Sequence, residues 1–421
     1  MVARYSARLF RLGGYAFWTA AGAMLPLALD RLIVHPILNQ YLGKELFGSF
    51  IWVLGIVNWF GSVAADGFAM LLLRDFVRQS VEAAGRMFRT AFTLTVVLSL
   101  LLIPVALLMS LGIADEMVLS NAWSLYLPLG VFAVLRGTSL LLVTNLRIKR
   151  RFRTIFGLRV VEAVVLLGNL VIAPTRSLWL IGIVYAASAL FSMPIGAMTS
   201  VELRNRMGWL DPQWSRWLMA GWGAGALLNI LNHSQLYLSR VVLGALSDVG
   251  EVAILYAGTA MGNLFVVPVT VLSTLVLSLL GGREEFVFKG RTRLLYVLTS
   301  YGIALSVAIA SWFGGRWLVA NRYPDLAPET LKFYHWIAIA NGCVAVMILM
   351  RPVVVKYGRL SATMLIAFIT LIVQIVALAV WVPIAQAEGA AIGLATALAV
   401  AAALWTGMAL RLKPAEGDDD E

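Results

Sequence analysis

The sequence predicts an all-α polytopic membrane protein with about twelve transmembrane helices in two six-helix lobes, and three observations predict this fold class. Hydrophobic residues make up 61% of the 421 residues, and charged residues make up only 13%. The mean hydropathy is +0.86, which a soluble core does not account for. Continuous apolar runs such as LTVVLSLLLIPVALLMSL recur and lack the alternation of outer-membrane strands, so helices are expected.

Twelve stretches are long enough to cross a membrane, because about 20 apolar residues span about 30 Å of hydrocarbon. The longest polar link between them, GGRWLVANRYPDLAPETLKF, has 20 residues, which leaves no room for an external catalytic domain. The predicted spans are residues 13–38, 48–73, 87–112, 121–144, 155–174, 178–201, 216–243, 251–280, 294–315, 331–351, 360–383 and 389–410.

Lysine and arginine are distributed unevenly between the two sides of this topology. Alternate connections on one side carry 24 of these residues, five of them in the run RIKRRFR, whereas the other side carries six. Because cytoplasmic loops retain positive charge, both termini are predicted to be cytoplasmic. This bias and contact with anionic lipids account for the net charge of +11, so no nucleic-acid partner is expected.

Several function classes are disfavoured by motifs that the sequence lacks. It contains no GxxxxGK[ST] phosphate loop, no HExxH and no GxSxG, so ATP hydrolysis is not expected. No paired acid and base and no metal cluster falls on a loop, which disfavours an enzyme acting on polyprenyl lipids. We therefore expect no enzymatic activity, no cofactor and no metal. The single cysteine, Cys343, implies no disulfide framework.

The two halves of the chain resemble each other weakly. LALDRLIVHPILNQYLGKELFGSFIWVLG aligns with LYLSRVVLGALSDVGEVAILYAGTAMG, which makes Arg31 and Arg240 equivalent positions, 209 residues apart. Both lobes begin on the cytoplasmic side, so the repeat is predicted to be parallel. The expected lobes are residues 1–210 and 211–413, followed by an acidic cytoplasmic tail at 414–421.

Six segments, in their order and spacing, carry a resemblance to a known family. They are YLGKELFGSF, ADGFAMLLLRD, TNLRIKRRFRTIFGLRVVEAVV, LSDVGEVAILYAG, VANRYPDLAPETLKFYHWIAIANG and EGAAIGLATAL. Nearly the whole chain resembles the multidrug/oligosaccharidyl-lipid/polysaccharide flippase superfamily, and within it the bacterial polysaccharide or O-antigen flippases. The resemblance implies a V-shaped, alternating-access carrier that moves polyprenyl-diphosphate-linked sugars to the periplasmic leaflet for O-antigen, capsule or exopolysaccharide biosynthesis.

This resemblance also implies the partners. The expected partners are the lipid-linked sugar and the membrane lipids. Contact with a polysaccharide polymerase or ligase is left open, and the protein is expected to act as a monomer.

Polar residues inside the spans need an explanation, because a charge near the bilayer centre costs about 2.5–3.5 kcal/mol. Asn229, His233 and Arg240 fall within about 40° of one another on a single helix face. We expect this stripe to line the interior between the lobes and to contact the substrate. Asp66 ends a similar stripe on the second span, where it is a candidate for binding a proton or cation. Interhelical hydrogen bonds or an interfacial cap are the structural alternatives.

Charged residues near the outer end of the first span form a second candidate set. Asp30 and Arg31 point about 100° apart on a helix, so each needs a partner elsewhere. Arg31 and its repeat-mate Arg240 are expected in the outer part of the membrane, and Arg136 lies deeper. Three guanidinium groups around a water-filled cleft suit a diphosphate, and Asp30 is a second candidate for ion coupling. Interfacial anchoring and structural ion pairs are the alternative.

Two further function classes stay open. A cation-coupled multidrug exporter of the same fold needs buried acids in its cavity, whereas three intramembrane arginines favour an anionic substrate. The candidate acids are Asp30, Asp66 and Glu162, and Glu162 is expected to pair with Arg159 three residues earlier. A non-transporting membrane scaffold would use small-residue steps such as GWGAG only for close helix contact.

Overall fold

The computed structural model describes residues 17–18, 21–22, 24–76, 79–111, 122–172, 177–200, 210–273, 290–357 and 360–412. Nearly all of these residues are helical, and no strand occurs among them. The predicted all-α class is therefore confirmed.

The helices follow the apolar runs of the sequence. They are α1 (His35–Asp75), α2 (Val81–Leu111), α3 (Ala122–Ile148), α4 (Phe152–Ile172), α5 (Leu178–Thr199), α6 (Pro212–Leu246), α7 (Val249–Gly262), α8 (Gly290–Ala310), α9 (Arg316–Arg322), α10 (Ala327–Thr330), α11 (Tyr334–Tyr357) and α12 (Leu360–Arg411). A π-helical turn, Asp30–Val34, leads into α1, a second one, Ser311–Gly315, leads into α9, and a 3-10 turn, Asn263–Phe265, follows α7.

Seven helices in the described part of the chain are long and apolar enough to cross a membrane, or eight if the bent pair Val249–Phe265 and Val267–Ser273 forms one span. Two of the seven, Met24–Leu73 and Ser361–Arg411, have 50 and 51 residues. Each of these contains a backbone break and covers two predicted spans. The predicted spans at 155–174 and 216–243 fall on α4 and α6, which are not among the seven.

The two breaks lie where the sequence predicts links between spans. Gly43 adopts φ 76° and ψ 170°, in the left-handed region that favours glycine, and it separates the first two predicted spans. In α12 the break falls at Ala385 and at Gln386, which has φ 49°. The chain then turns back closely, because a Cβ on Gly389 would lie 2.0 Å from the carbonyl oxygen of Trp381.

Contacts group the chain into two compact units. The first comprises Met1–Tyr237 with Asp248–Gly250, and the second comprises Leu238–Ser247 with Glu251–Glu421. Residues 211–237, which the repeat assigns to the second lobe, group here with the first unit. Contact grouping measures proximity whereas the predicted lobes follow the repeat, so the lobe boundary at residue 210 stays a prediction.

Helix α3 lies at the centre of the first unit, where it packs against α1, α2 and α5. Glycines allow the close approach, since a Cβ on Gly61 would lie 3.1 Å from Ala133 and a Cβ on Gly137 would lie 3.1 Å from the Gly61 carbonyl oxygen. An apolar core joins α1, α2 and α3 to the start of α6. Its members include Phe68, Leu72, Met87, Phe88, Leu141 and Leu218.

In the second unit, α11 packs against α8 and α12. The core between them contains aliphatic side chains from all three helices and the indole of Trp405. Asn341 on α11 donates a buried hydrogen bond to Ser311 at 2.9 Å, which satisfies the amide inside this apolar surrounding.

Candidate functional site

A cavity of about 320 Å³ lies within the first unit, among the residues that precede α1 and the helices α1, α3, α4 and α5. Much of its wall is apolar, including Leu27, Phe132 and Leu166. The polar and charged residues that line it are Asp30, Asn58, Arg136, Arg147, Arg159, Glu162, Tyr185 and Ser188.

The cavity is elongated along α3. Phe132 and Arg147 both line it, and they are 15 residues apart, which corresponds to about 22 Å of helix. Arg136 and Arg147 are 11 residues apart, so they project within about 20° of each other. One face of α3 therefore presents two guanidinium groups to the same space.

Glu162 on α4 joins two of the cavity arginines. Its Oε1 accepts a hydrogen bond from Arg136 Nη1 at 2.7 Å, and its Oε2 accepts one from Arg159 Nη1 at 2.5 Å. The side chains of Glu162 and Arg159 are only 10% and 9% exposed, whereas Arg136 is 34% exposed. The predicted pair of Arg159 and Glu162 is confirmed, but one carboxylate serves two guanidinium groups, so the cluster keeps a positive charge.

A hydrogen-bonded network around Tyr185 of α5 forms the end of the cavity that lies farthest from Arg147. The Tyr185 hydroxyl donates to Asp30 Oδ1 at 3.0 Å and lies 2.9 Å from His35 Nε2. His35 Nε2 is also 3.6 Å from Asp30 Oδ1, and Phe132 packs edge-on against the Tyr185 ring. Asp30 therefore has partners on α1 and α5.

Asp66 takes part in a separate polar cluster at the contact of α1 and α6. Asn229 donates its side-chain amide to Asp66 Oδ2, and His233 Nε2 lies 3.4 Å from the same oxygen. None of these three residues of α1 and α6 is among the described residues that line the cavity.

The residues predicted as site residues thus occupy four places. Arg136 and Asp30 line the cavity, and Asn229 and His233 surround Asp66. Arg31 lies in the π-helical turn and is not one of the described residues that line the cavity. Arg240 belongs to the second unit, where its guanidinium lies 4.8 Å from the Tyr256 ring centre and donates to Thr259 Oγ1 at 3.4 Å.

Sequence reasoning did not select Arg147, Arg159 or Tyr185 as site residues. Arg147 belongs to the run RIKRRFR, whose positive charge predicts which side of the membrane this loop lies on. Its spacing of 11 residues from Arg136 was the signal that both share a helix face. Tyr185 lies in an apolar helix, and its role depends on Asp30, which is 155 residues away in the chain.

The chain shares its fold with solved structures of multidrug transporters and of a lipid flippase. The lipid II flippase MurJ in an inward closed conformation superposes with a TM-score of 0.68 at 10% identity, over 94% of this chain and 86% of that chain. A MOP superfamily transporter from Pyrococcus furiosus, described with a binding pocket of reverse polarity, gives a TM-score of 0.66 at 14% identity, with 94% of each chain covered.

A third structure, the Vibrio cholerae MATE transporter VcmN in the bent form, gives a TM-score of 0.63 at 16% identity and covers 96% of this chain and 98% of that one. No protein-family model and no characterised protein sequence matches the chain. At these identities the similarity shows a shared fold over nearly the full length of the chain.

Proposed function

We propose that this chain is a flippase that moves a polyprenyl-diphosphate-linked oligosaccharide from the cytoplasmic to the periplasmic leaflet of a bacterial inner membrane, for cell-surface polysaccharide biosynthesis. The observation that carries the proposal is the cavity lined by Arg136, Arg147 and Arg159. A fold shared with transporters, one of them a lipid flippase, supports it.

The charge along α3 and α4 matches a diphosphate, whereas Asp30 near Tyr185 brings the lining as a whole to about one positive charge. Three arginines opposed by Glu162 leave about two positive charges along α3 and α4, and a diphosphate diester carries about two negative charges. Guanidinium groups stay charged and donate in a planar fork that fits phosphate oxygens. Arg136 and Arg147 are the more exposed of the three, so they are the groups that contact the substrate, and Glu162 orients Arg136.

The end of the cavity near Tyr185 suits the sugar. Asp30, Asn58 and Ser188 supply hydrogen-bonding groups, and Phe132 supplies an apolar ring. A volume of about 320 Å³ is at the small end of ligand pockets, so it holds the diphosphate and the first sugar, not a whole glycan.

Membrane energetics favour this direction of movement. Each elementary charge that crosses a potential of 100 mV changes the free energy by about 2.3 kcal/mol. An inside-negative potential therefore drives an anionic lipid outward, and coupling to an inward cation is an additional driving force. Asp30 and Asp66 remain the proposed ion-coupling carboxylates, and Arg31 and Arg240 remain proposed substrate contacts.

A cation-coupled multidrug exporter is the second candidate, and one observation favours it. The Asp30 carboxylate lines the same cavity, where it accepts one hydrogen bond from Tyr185. An organic cation would bind at this end, but it would be repelled by the arginines along α3. The two candidates therefore differ in which end of the cavity the substrate requires.

We expect Arg136→Ala and Arg147→Ala to reduce outward movement of the lipid-linked sugar about tenfold to a hundredfold each, because a hydrogen bond to a charged group contributes about 1.5–3 kcal/mol. The measurement is made in a strain that lacks the chain and is complemented with each variant. Polyprenyl-diphosphate sugars are extracted, and their accessibility to a periplasmic glycosidase is compared at equal membrane levels of protein.

The matched control is Arg322→Ala, which removes an exposed arginine at the end of α9. Arg136→Lys keeps the charge and removes the fork, so it should restore only part of the movement. Unchanged lipid-linked sugars together with accumulation of toxic cations in the cell would replace the flippase by the exporter.

A further inference from the structure

A second cavity of the first unit lies where α1 ends and α6 begins. Its volume is about 350 Å³, and it shares no described lining residue with the arginine-lined cavity. We call it the interfacial cavity, because its residues fall at the ends of predicted spans. The described residues that line it are Asp75, Gln79, Gln213, Trp214 and Trp217.

Short-range hydrogen bonds hold both walls of the interfacial cavity in place. Asp211 caps α6, since its Oδ1 accepts the backbone N–H of Gln213 at 3.0 Å. The backbone N–H of Asp211 in turn donates to Thr90 Oγ1 of α2 at 3.2 Å. On the other wall, the backbone N–H of Gln79 donates to the Phe76 carbonyl oxygen at 3.3 Å. The interfacial cavity is therefore a preformed feature of the first unit.

Two indoles form the apolar side of this cavity. The ring centres of Trp214 and Trp217 are 5.6 Å apart, and the ring planes meet at 86°. Both rings pack on the apolar core that joins α1, α2 and α3. Because both side chains are only partly buried, each keeps ring surface for a ligand. An indole offers a broad apolar surface together with one N–H donor.

The polar side of the cavity consists of one carboxylate and two primary amides. An amide both donates and accepts hydrogen bonds, whereas a carboxylate only accepts them. No lysine or arginine belongs to the lining over the described part of the chain, so the cavity does not suit a phosphate group. An ammonium group has no acceptor and would leave the amide donors unused.

A pyranose ring uses every one of these groups. Its hydroxyls donate to the carboxylate and exchange hydrogen bonds in both directions with the amides. Its C–H faces are apolar and lie against aromatic rings. A volume of about 350 Å³ is at the small end of ligand pockets, which suits a ligand of the size of a sugar.

We propose that the interfacial cavity is a docking subsite for a neutral pyranose unit of the lipid-linked glycan, an inference that rests on the proposed transport function and adds a second subsite to it. In the loading leaflet the diphosphate lies among the lipid headgroups and the sugars extend into water. Asp75 and Gln213 lie just beyond the predicted spans 48–73 and 216–243, on the side predicted to be cytoplasmic, which is the level of these sugars.

The interfacial cavity lies at the arginine end of the first unit. The core that holds Trp214 and Trp217 also contacts Ile148, which follows Arg147 at the end of α3. A glycan bound here is thus held beside the end of the arginine-lined cavity at which Arg147 stands. The subsite recognises the sugar before the diphosphate enters.

The first experiment detects sugar binding by saturation-transfer NMR, with the full chain in phosphatidylglycerol nanodiscs. The probes are the methyl glycosides of glucose, galactose, mannose and N-acetylglucosamine, and phosphoethanolamine represents an aminophospholipid headgroup. We expect saturation of the C–H protons of at least one glycoside, with most of the signal lost in Trp217→Ala. Trp317→Ala, which removes an indole that is 65% exposed on α9, should retain the signal.

A second variant keeps the test valid if Trp217→Ala does not fold. Gln213 is exposed and lies outside the apolar core, so Gln213→Ala should fold normally and still weaken the glycoside signal. The proposal is overturned if no glycoside gives a signal, if the signal is equal in the wild type and the cavity variants, or if phosphoethanolamine alone responds.

The second experiment separates this subsite from the arginines. Native mass spectrometry compares the binding of a polyprenyl-diphosphate-linked sugar with that of bare polyprenyl diphosphate. Trp217→Ala should weaken binding of the glycosylated lipid about tenfold, because truncation of a well-packed tryptophan in a binding site is costly, and should leave the bare lipid unaffected. Arg147→Ala should weaken both lipids. Equal losses for the two lipids in Trp217→Ala would make the indole a support for the diphosphate site and overturn the subsite.

The two proposals fail in different ways. Glycoside binding that depends on Trp217, without any movement of lipid-linked sugar, overturns the flippase and leaves the sugar site intact. Lipid movement at the wild-type rate in Trp217→Ala and Gln213→Ala, without glycoside binding, overturns the subsite and leaves the flippase intact.

Discussion

At the scale of single residues, the shared carboxylate of Glu162 determines the chemistry of the cavity. A second acid opposite Arg159 would neutralise the cluster, and the absence of Glu162 would leave two guanidinium groups to repel each other. One carboxylate between Arg136 and Arg159 fixes the direction of both side chains and leaves one positive charge unpaired within the cluster. The cavity is therefore both ordered and attractive to anions.

Glu162→Ala should destabilise the protein by about 3 kcal/mol, because removal of one partner from a buried ion pair leaves the other charge uncompensated. The check is the thermal unfolding midpoint of the detergent-solubilised protein. Glu82→Gln, which changes an exposed acid in the first turn of α2, is the control and should leave the midpoint nearly unchanged. The double variant Glu162→Ala, Arg159→Met should recover much of the loss. If Glu162→Ala were as stable as the control, the structural role of Glu162 between Arg136 and Arg159 would be contradicted.

At the scale of helices, glycines allow α1 and α6 to pack closely together. A Cβ on Gly225 would lie 3.1 Å from the Gly67 Cα, and a Cβ on Gly67 would lie 2.5 Å from Trp222 Cδ1. The Trp222 indole N–H donates to the Ala64 carbonyl oxygen at 3.3 Å across the same contact. The close helix contact that the step GWGAG predicts is confirmed at Gly225.

Gly67→Ala should cost about 1–3 kcal/mol, because the added methyl group overlaps Trp222 and forces α1 and α6 apart. Gly223→Ala is the control on the same helix, since a Cβ there meets no atom within 4 Å. It should leave stability unchanged or raise it by up to about 1 kcal/mol, as alanine favours helices. Thermal unfolding measures stability. Equal midpoints for the two variants would exclude a tight contact.

Hydropathy predicts the helices well because it depends only on local sequence. The described residues of every predicted span are mostly helical, with exceptions at Ser200, Val266 and residues 331–333. The links after residues 38 and 383 contain the observed breaks at Gly43 and Gln386. Apolar length does not reveal which helices pack together, however. The contacts of α3 with α1 and α5 depend on small residues such as Gly61 meeting Ala133, and these are pairings of distant segments.

The candidate site was predictable only where a single helix carries the information. Asp30 and Arg136 stand out as charges inside apolar spans, and both line the cavity. Tyr185 reaches it through long-range packing, which no helical periodicity encodes. The pair of Arg159 and Glu162 follows from helical spacing, but its position in the cavity does not. Arg147 was concealed because the same arginine contributes to the cytoplasmic charge bias and to the cavity.

At the scale of the whole molecule, the side of the predicted topology that is richer in lysine and arginine is also the side at which the cavity carries Arg147. The connection after α3 carries the run RIKRRFR, on the side where 24 lysine and arginine residues are counted against six. Arg147 stands at this end of α3, whereas Asp30 and Tyr185 stand at the other end of the cavity. If the basic side is cytoplasmic, the cationic end faces the compartment in which nucleotide-activated sugars are assembled on lipid carriers.

This orientation is tested with single cysteines introduced after Cys343→Ala. Glu82→Cys lies on the basic side and Asn321→Cys on the opposite side, and both positions are exposed on their helices. Because positive charge is retained in the cytoplasm, a membrane-impermeant maleimide added to intact cells should label Asn321→Cys and leave Glu82→Cys unlabelled until the membrane is permeabilised. The Cys343→Ala parent controls for background. Labelling of Glu82→Cys alone in intact cells would reverse the topology and turn the arginine end of the cavity outward. The proposed carrier, loaded from the cytoplasm, could not then bind a diphosphate at Arg147, so this one measurement constrains both the orientation and the proposed mechanism.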